Sequence, residues 1–332
     1  MTTDALLAAG RHSFTLDDDR NERLDLLVAH RLDLSRTQAA TLIAEGHVTV
    51  NGRTERSSFR ADAGASIEVE VPPPRSRSVS PESIAVVVAF EDEHLLVIDK
   101  PAGMVVHPAP GHWTGTLVNA LLGRGGELAG GGDPARVGLV HRLDKDTSGL
   151  LLVAKTERVH RKLSGDLAAR KIARRYAALS WGHFTGDHRR VDAAVGRDPH
   201  DRRRMAIVPD GRSAVTDFAR IARFDSVDLL RAHLHSGRTH QIRVHLASIG
   251  HPVVGDETYG GTRRKLEAKP SKRHFLHAAW LRFRHPATGV ICDLRSELPA
   301  DLRAALAHAA HDPALIDHPE PLDSLGFFAG DG

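Results

Sequence analysis

Cysteine is nearly absent: Cys292 is the only one in 332 residues. That excludes an intramolecular disulfide and a zinc site built on cysteine. Long apolar runs are missing too. None approaches the roughly 18 residues that a membrane helix needs, and the longest candidate, Ile84 to Phe90, is strand-sized. The amino terminus, MTTDALLAAGRH, has no basic start followed by a long apolar stretch, so no secretory signal is read there. These absences predict a cytoplasmic protein with no membrane partner. Metal signatures are scarce despite 22 histidines. No HExxH occurs, and a metal is not expected. His233 and His235 would share a face but lack a nearby acidic third ligand, while His240 and His245 would face opposite ways on a strand. The glycine-rich stretch Gly123 to Gly132 lacks the lysine-serine ending of a phosphate-binding loop.

What remains is an ordinary globular composition, 41% hydrophobic and 26% charged. The length fits one large domain plus a small one. Residues 1–15 show no clear periodicity and are expected to be flexible. Residues 16–71 form a small α/β unit. In it Leu24, Leu27 and Val28 fall on one helical face, and Ser35 caps a second helix from Arg36 that ends at Gly46. His47-Val48-Thr49-Val50 alternates as a strand, Asn51-Gly52 is a hairpin turn, and Ile67 to Val71 alternates again. Residues 72–83, opening on Pro72-Pro73-Pro74, read as a stiff linker. The large α+β domain spans 84–309, and the proline-punctuated residues 310–332 read as an irregular tail.

Net charge is only +3, but bases cluster. Arg158, Arg161, Lys162, Arg170, Lys171, Arg174 and Arg175 stand near one acid, Asp166, and Arg202 to Arg204 run together. A third group, Arg263, Arg264, Lys265, Lys269, Lys272 and Arg273, surrounds Glu267. Such patches suit a phosphate backbone, although solvated faces often look the same.

The segment His141-Arg142-Leu143-Asp144-Lys145-Asp146-Thr147-Ser148-Gly149 runs straight into the apolar Leu150 to Ala154. A polar turn before a buried strand places an aspartate and an arginine at the mouth of a sheet. From spacing alone, Asp144 is either a functional group or a backbone cap. The whole stretch HRLDKDTSGLLLVAK resembles the signature of the RluA-type pseudouridine synthases. Lys100 to Pro108, Arg175 to Leu179, Gly237 to Leu246, Gly250 to Asp256, Leu276 to Ala278 and His285-Pro286 resemble further motifs of that family in the same order. Residues Arg23-Leu24-Asp25, Ser35-Arg36 and Gly46 to Gly52 resemble the RNA-binding domain named after ribosomal protein S-four.

The resemblance implies a pseudouridine synthase fold with a mixed, largely antiparallel central sheet. It implies isomerisation of uridine in RNA, with synthases of large-subunit (23S) ribosomal RNA, of the RluD kind, as the nearest likeness. A transfer-RNA synthase and a non-catalytic RNA-binding or ribosome-assembly protein are the alternatives. Asp144, Tyr176 and Arg243 would be the catalytic set. Arg142 would take the place of the extruded base, and Arg238, His240 and Gln241 would meet RNA beside it. Arg23, Arg31, Arg36 and Arg53 are the candidates in the small unit. The alternation from Gln241 to His245 predicts a strand that sends Gln241, Arg243 and His245 to one face. Three roles fit Asp144: attack on the sugar, attack on the base, and removal of a sugar proton. No redox step or external group is required, so no cofactor is expected, and a monomer is the default.

Overall fold

The computed structural model describes residues 10–17, 21–72, 79–109, 112–126, 128–130, 137–260 and 272–330. Two units divide the chain, Met1–Ser78 and Val79–Gly332. In the first, strand β1 (Gly10–Thr15) precedes helices α1 (Leu24–Arg31) and α2 (Arg36–Ala44), then β2 (Val48–Val50), β3 (Arg53–Thr54) and β4 (Ser66–Val71). The antiparallel sheet runs β1-β4-β2-β3. Its core joins Leu24, Val28, Ile43, Val48, Ile67 and Val69.

Local chemistry explains most of these elements. Ser35 and Gln38 form a reciprocal capping box at the start of α2, satisfying two donors that the helix cannot. Gly46 follows α2 with φ +81°, and Asn51 and Gly52 turn the β2–β3 hairpin with φ +47° and +78°. Positive φ at both central residues is what a type I′ hairpin needs. The expected flexible start is corrected in part. Residues 10–15 pair along their whole length with β4, from Gly10↔Val71 to Thr15↔Ser66. This strand buries little of itself, so it carries no strong apolar alternation to read. Residues 1–9 of that expectation, and 73–78 of the expected linker, lie outside the described residues.

The second unit begins before the expected residue 84. The Glu82 backbone N–H donates to Asn119, and its carboxylate accepts from the Gly115 N–H. The elements that follow are β5 (Val87–Glu91), β6 (Leu95–Lys100), α3 (Leu117–Gly123), β7 (Ser148–Ala154), α4 (Glu157–Ala168), β8 (Ala173–Trp181) and β9 (His188–Asp192). Next come β10 (Val195–Arg197), β11 (Met205–Ile207), β12 (Val215–Arg223), β13 (Val227–Leu234) and α5 (Gln241–Ser248). The unit closes with β14 (Leu276–Arg284), β15 (Ile291–Arg295), α6 (Ala300–Ala310), α7 (Ala314–Asp317) and α8 (Pro321–Ser324).

Nine strands form one mixed sheet in the order β5-β6-β7-β14-β8-β13-β12-β9, with β15 beside β14. Every pairing is antiparallel except β7 with β14. Strand β7 is buried at all seven positions, which is why it reads as an unbroken apolar run. The parallel pairing sits where the polar turn enters the sheet, with Gly149 facing Ala278. Gly149 has φ +109°, and a Cβ there would stand 2.4 Å from the Ala278 carbonyl oxygen. Only glycine meets both conditions.

Two further expectations are corrected. Gln241 to His245 is helix, not strand. Residues 241–246 of α5 are all buried, so the helix has no exposed face to show as a 3.6-residue period, and its polar–apolar alternation mimics a strand. The tail is not irregular throughout: α6 reaches Ala310, and α7 and α8 follow. Leu315, Leu322 and Phe327 join the main core. Arg231 on β13 donates to the carbonyls of Phe327, Ala329 and Gly330 at 2.7, 2.8 and 2.9 Å. Residues 331–332 of the tail lie outside the described residues.

Gly149→Ala is expected to destabilise this unit by about 2–4 kcal/mol, the usual cost of combined backbone strain and overpacking. Urea unfolding followed by fluorescence checks it, and a loss below ~1 kcal/mol would show that β14 gives way.

Candidate active site

The turn before β7 is pinned from two sides. Lys100, at the end of β6, is fully buried and donates its ammonium to the carbonyls of Pro101, Met104 and Lys145 at 2.7, 3.0 and 3.0 Å. Burial pulls its pKa down to about 7. Arg273 holds the Asp146 carbonyl at 2.8 Å from the other side, and Thr147 Oγ1 meets His274 Nε2 at 2.9 Å. The three residues that follow Asp144 are therefore fixed by side chains from the end of β6 and from just before β14.

Asp144 looks into a cleft that Tyr176 of β8, Leu276 of β14 and residues 237–242 also line, with Arg142 and Arg238 among its walls. Arg243 of α5 is the central cation. Its Nη1 donates to Asp144 Oδ2 at 3.2 Å. Its Nε and Nη2 clasp the two oxygens of Asp256 at 2.6 and 2.9 Å. The bidentate clasp fixes the plane of the guanidinium, leaving one edge for Asp144. Asp256 is fixed in turn by the backbone N–H groups of Thr258 and Tyr259.

Burial opposes the charge on Asp144, but the positive potential of His240 and Arg243 and the Arg243 hydrogen bond hold its carboxyl below the ordinary aspartate range. His240 is itself pushed down by burial, so at neutral pH its ring is uncharged. The permanent charge that keeps Asp144 ionised is therefore Arg243. Asp256 is likewise depressed against its burial by Arg243.

His240 is held with φ +55° at the start of α5. The Tyr259 hydroxyl accepts from the Met205 N–H at 3.0 Å and lies 2.8 Å from His240 Nδ1. When that hydroxyl donates to Nδ1, the imidazole proton sits on Nε2 and is a donor. Tyr176 is 4% exposed, and burial raises its phenol above the usual value, so it stays protonated.

The predicted residues divide clearly. Asp144, Tyr176, Arg243, His240, Arg142 and Arg238 come together. Gln241 reaches the cleft wall, but its amide is spent internally. Its oxygen accepts from Ser236 Oγ and the Arg238 N–H, and its nitrogen donates to the Val215 carbonyl and Thr216 Oγ1. The expected RNA contact is therefore corrected to a brace for the loop before α5. His245, one turn on, also meets Thr216, at 2.9 Å, whereas Arg243 points away from both. In the first unit, Arg23 and Arg36 both bind the buried Asp25, and Arg53 is exposed on its hairpin. The basic residues 263–265 and 269 lie outside the described residues.

Asp256, Tyr259 and His274 were not singled out from sequence, although Asp256 closes a quoted motif. The statement that His233 and His235 lack an acidic neighbour is also corrected. Asp217, paired across β12 and β13 with His233, brings the three ligand atoms within 4.8 Å of one another. That carboxylate is already engaged by His235 at 2.6 Å, with Arg190 3.6 Å away.

The chain that carries this site has known relatives. Residues 94–248 match the RNA pseudouridylate synthase family, and residues 22–67 match the S4 domain. The chain belongs to the RNA pseudouridylate synthase family. It is 41% identical over 287 residues to the uncharacterised RNA pseudouridine synthase YlyB of Bacillus subtilis, covering 86% of this chain and 93% of the relative. To ribosomal large subunit pseudouridine synthase D of Zymomonas mobilis it is 44% identical over 291 residues, covering 85% of this chain and 92% of the relative. The Pseudomonas aeruginosa protein of the same name is 42% identical over 291 residues, with 84% and 89% covered. Among solved structures, human RNA pseudouridylate synthase domain containing 1 superposes with a TM-score of 0.53 at 25% identity, covering 75% of this chain and 99% of that one.

Replacing Arg243 by Gln removes the permanent cation beside Asp144 and leaves only the histidines His240 and His274 to oppose burial. The acid limb of kcat/KM is then expected to move upward. The sign follows from the linkage: activity needs the ionised form and is lost as pH falls through the folded-state pKa. A pH profile with an unmoved limb would remove Arg243 as the source. Asp256→Asn keeps the shape but loosens the clasp, and should lower kcat/KM by about 10²-fold.

Proposed function

We propose that the chain isomerises specific uridines of large-subunit ribosomal RNA to pseudouridine, with Asp144 as the catalytic residue. The single observation that carries this is a buried carboxylate kept ionised by Arg243 in a cleft that also holds Tyr176. The RNA target rests on the large-subunit synthases that share over 40% of their residues with this chain across most of its length.

The reaction breaks the bond between sugar C1′ and uracil N1, turns the base, and joins C1′ to C5. The proton on C5 leaves, and N1 gains one. The uridine first unstacks and swings out, at a cost of a few kcal/mol. Arg142, exposed on the rim, is placed to fill the gap it leaves, since a guanidinium both stacks and binds phosphate. Inside, the Tyr176 ring gives the uracil a flat wall. The raised pKa of its phenol makes it a poor base at rest, so its main contribution is stacking. His240, with its proton on Nε2, offers a donor to a uracil carbonyl. Asp144 works at the sugar or the base as the bond breaks.

The S4 domain supplies further RNA contact through Arg53 and the exposed edges of Arg23 and Arg36. No helix among the described residues is long and apolar enough to cross a membrane. A cytoplasmic monomer is the simplest form for this work.

The test is tritium release from large-subunit ribosomal RNA labelled at uridine C5, compared across three proteins. Wild type should release tritium, and Asp144→Ala should release none above background. Tyr176→Phe, which keeps the ring, should lose less than about 100-fold, the small end of an acid–base contribution. Tritium release by Asp144→Ala would contradict the assignment. No release by wild type, with release from transfer RNA, would move the target.

A further inference from the structure

Beside the candidate catalytic cleft lies a larger groove, about 540 Å³ in volume, whose far side no part of the mechanism uses. The two share Arg142, Arg174, Gly237 and Arg238 as walls, so one runs into the other. Its far side is the C-terminal end of α4, where Ser164, Leu167 and Ala168 face it and Arg170 stands at the edge. Among the described residues, four arginines line this groove and no aspartate or glutamate does.

We propose that this groove binds the phosphodiester backbone of the RNA strand flanking the target uridine, with Arg170 as a phosphate contact. The proposal rests on the RNA-modifying function above and names where its substrate runs. Three observations carry it beyond a basic patch. First, Arg170 is exposed, and its guanidinium has no ion pair or hydrogen bond among the described residues, whereas Arg203 and Arg273 hold carboxylates. Second, Arg170 has φ +59° just past the helix, a conformation that suits glycine or asparagine. An arginine held where glycine would suit the backbone better brings its side chain to the groove edge at a cost in strain.

Third, the groove wall holds buried donors in want of acceptors. His141 Nε2 accepts from the Leu152 N–H at 3.2 Å, which puts its proton on Nδ1, and that atom has no partner. Arg174 Nε is also without one, although its Nη2 reaches the carbonyls of Leu234 and Ser236 at 3.4 and 3.3 Å. Gly237 makes room for this guanidinium, since a Cβ there would stand 3.0 Å from Arg174 Nη1. The wall therefore presents positive potential and no competing anion, which is the setting for a phosphate.

The experiment uses the full chain, a large-subunit ribosomal RNA transcript, and the variants Arg170→Gly, Arg170→Lys and Arg170→Glu. RNA binding is measured from low to high salt, and thermal melting alongside it. Arg170→Gly should weaken binding by about 3- to 10-fold at low salt and flatten the plot of log Kd against log salt by about 0.7, one single-strand phosphate. It should melt no lower than wild type, because its backbone strain is relieved. Lysine should restore most of the salt slope, and Arg170→Glu should bind more weakly than Arg170→Gly. In turnover the loss should fall on KM. An unchanged Kd and slope in Arg170→Gly would overturn the proposal, as would a loss of affinity matched by a loss of melting temperature. If wild type releases no tritium from this transcript, the target fails. The groove would still stand or fall on the Arg170 salt slopes.

Discussion

A buried arginine shared between two carboxylates is the interaction on which the site depends. Arg243 holds Asp256 with two donors and Asp144 with one, and all three side chains are largely removed from water. Removing one partner of such a set costs about 3–5 kcal/mol, because the remaining charge has nowhere to go. The arrangement is asymmetric in a useful way. Asp256 is tied to the backbone and anchors the cation, whereas Asp144 stands at the cleft with only one oxygen held by the arginine. The anchor sets the orientation, and the proposed catalytic carboxylate gains a fixed counter-charge without losing its access to the cleft.

The rest of the second unit exists in a form that delivers these three groups to one place. Asp144 comes from the turn before β7, Arg243 from α5, and Asp256 from the chain between α5 and β14. The parallel pairing of β7 with β14 sets the Asp144 turn beside His274, and it requires Gly149 at the crossing. Lys100 and Arg273 fix the carbonyls of the two residues that follow Asp144. Gln241 braces the loop before α5 against β12. A site held by packed elements on every side keeps its geometry when the base arrives, which is the physical meaning of preorganisation.

Much of this was legible in the sequence, for reasons that are local. The Ser35 cap, the Gly46 stop and the Asn51-Gly52 hairpin are short-range devices whose residue types carry their own conformations. The polar turn before β7 stood out because a fully buried strand reads as an apolar run. The failures share another cause. The strand β1 is an exposed edge whose partner lies over fifty residues away, and α5 is buried all round, so neither shows its period. Asp217 reaches His233 and His235 only through cross-strand pairing. Asp256 matters because of the angle at which it holds Arg243, and no spacing in one dimension reveals that. The family resemblance named the site, while the structure showed what keeps Asp144 charged.

The most direct measurement is the ionisation of Asp144 itself, followed by carbon-13 NMR of the aspartate carboxyl carbons and assigned by its loss in Asp144→Asn. The account predicts a carboxylate that stays ionised at every pH above the ordinary aspartate value of 3.8. A midpoint above that value in the wild-type protein would mean that burial wins over Arg243, and would contradict the claim that the shared arginine sets the charge of the site.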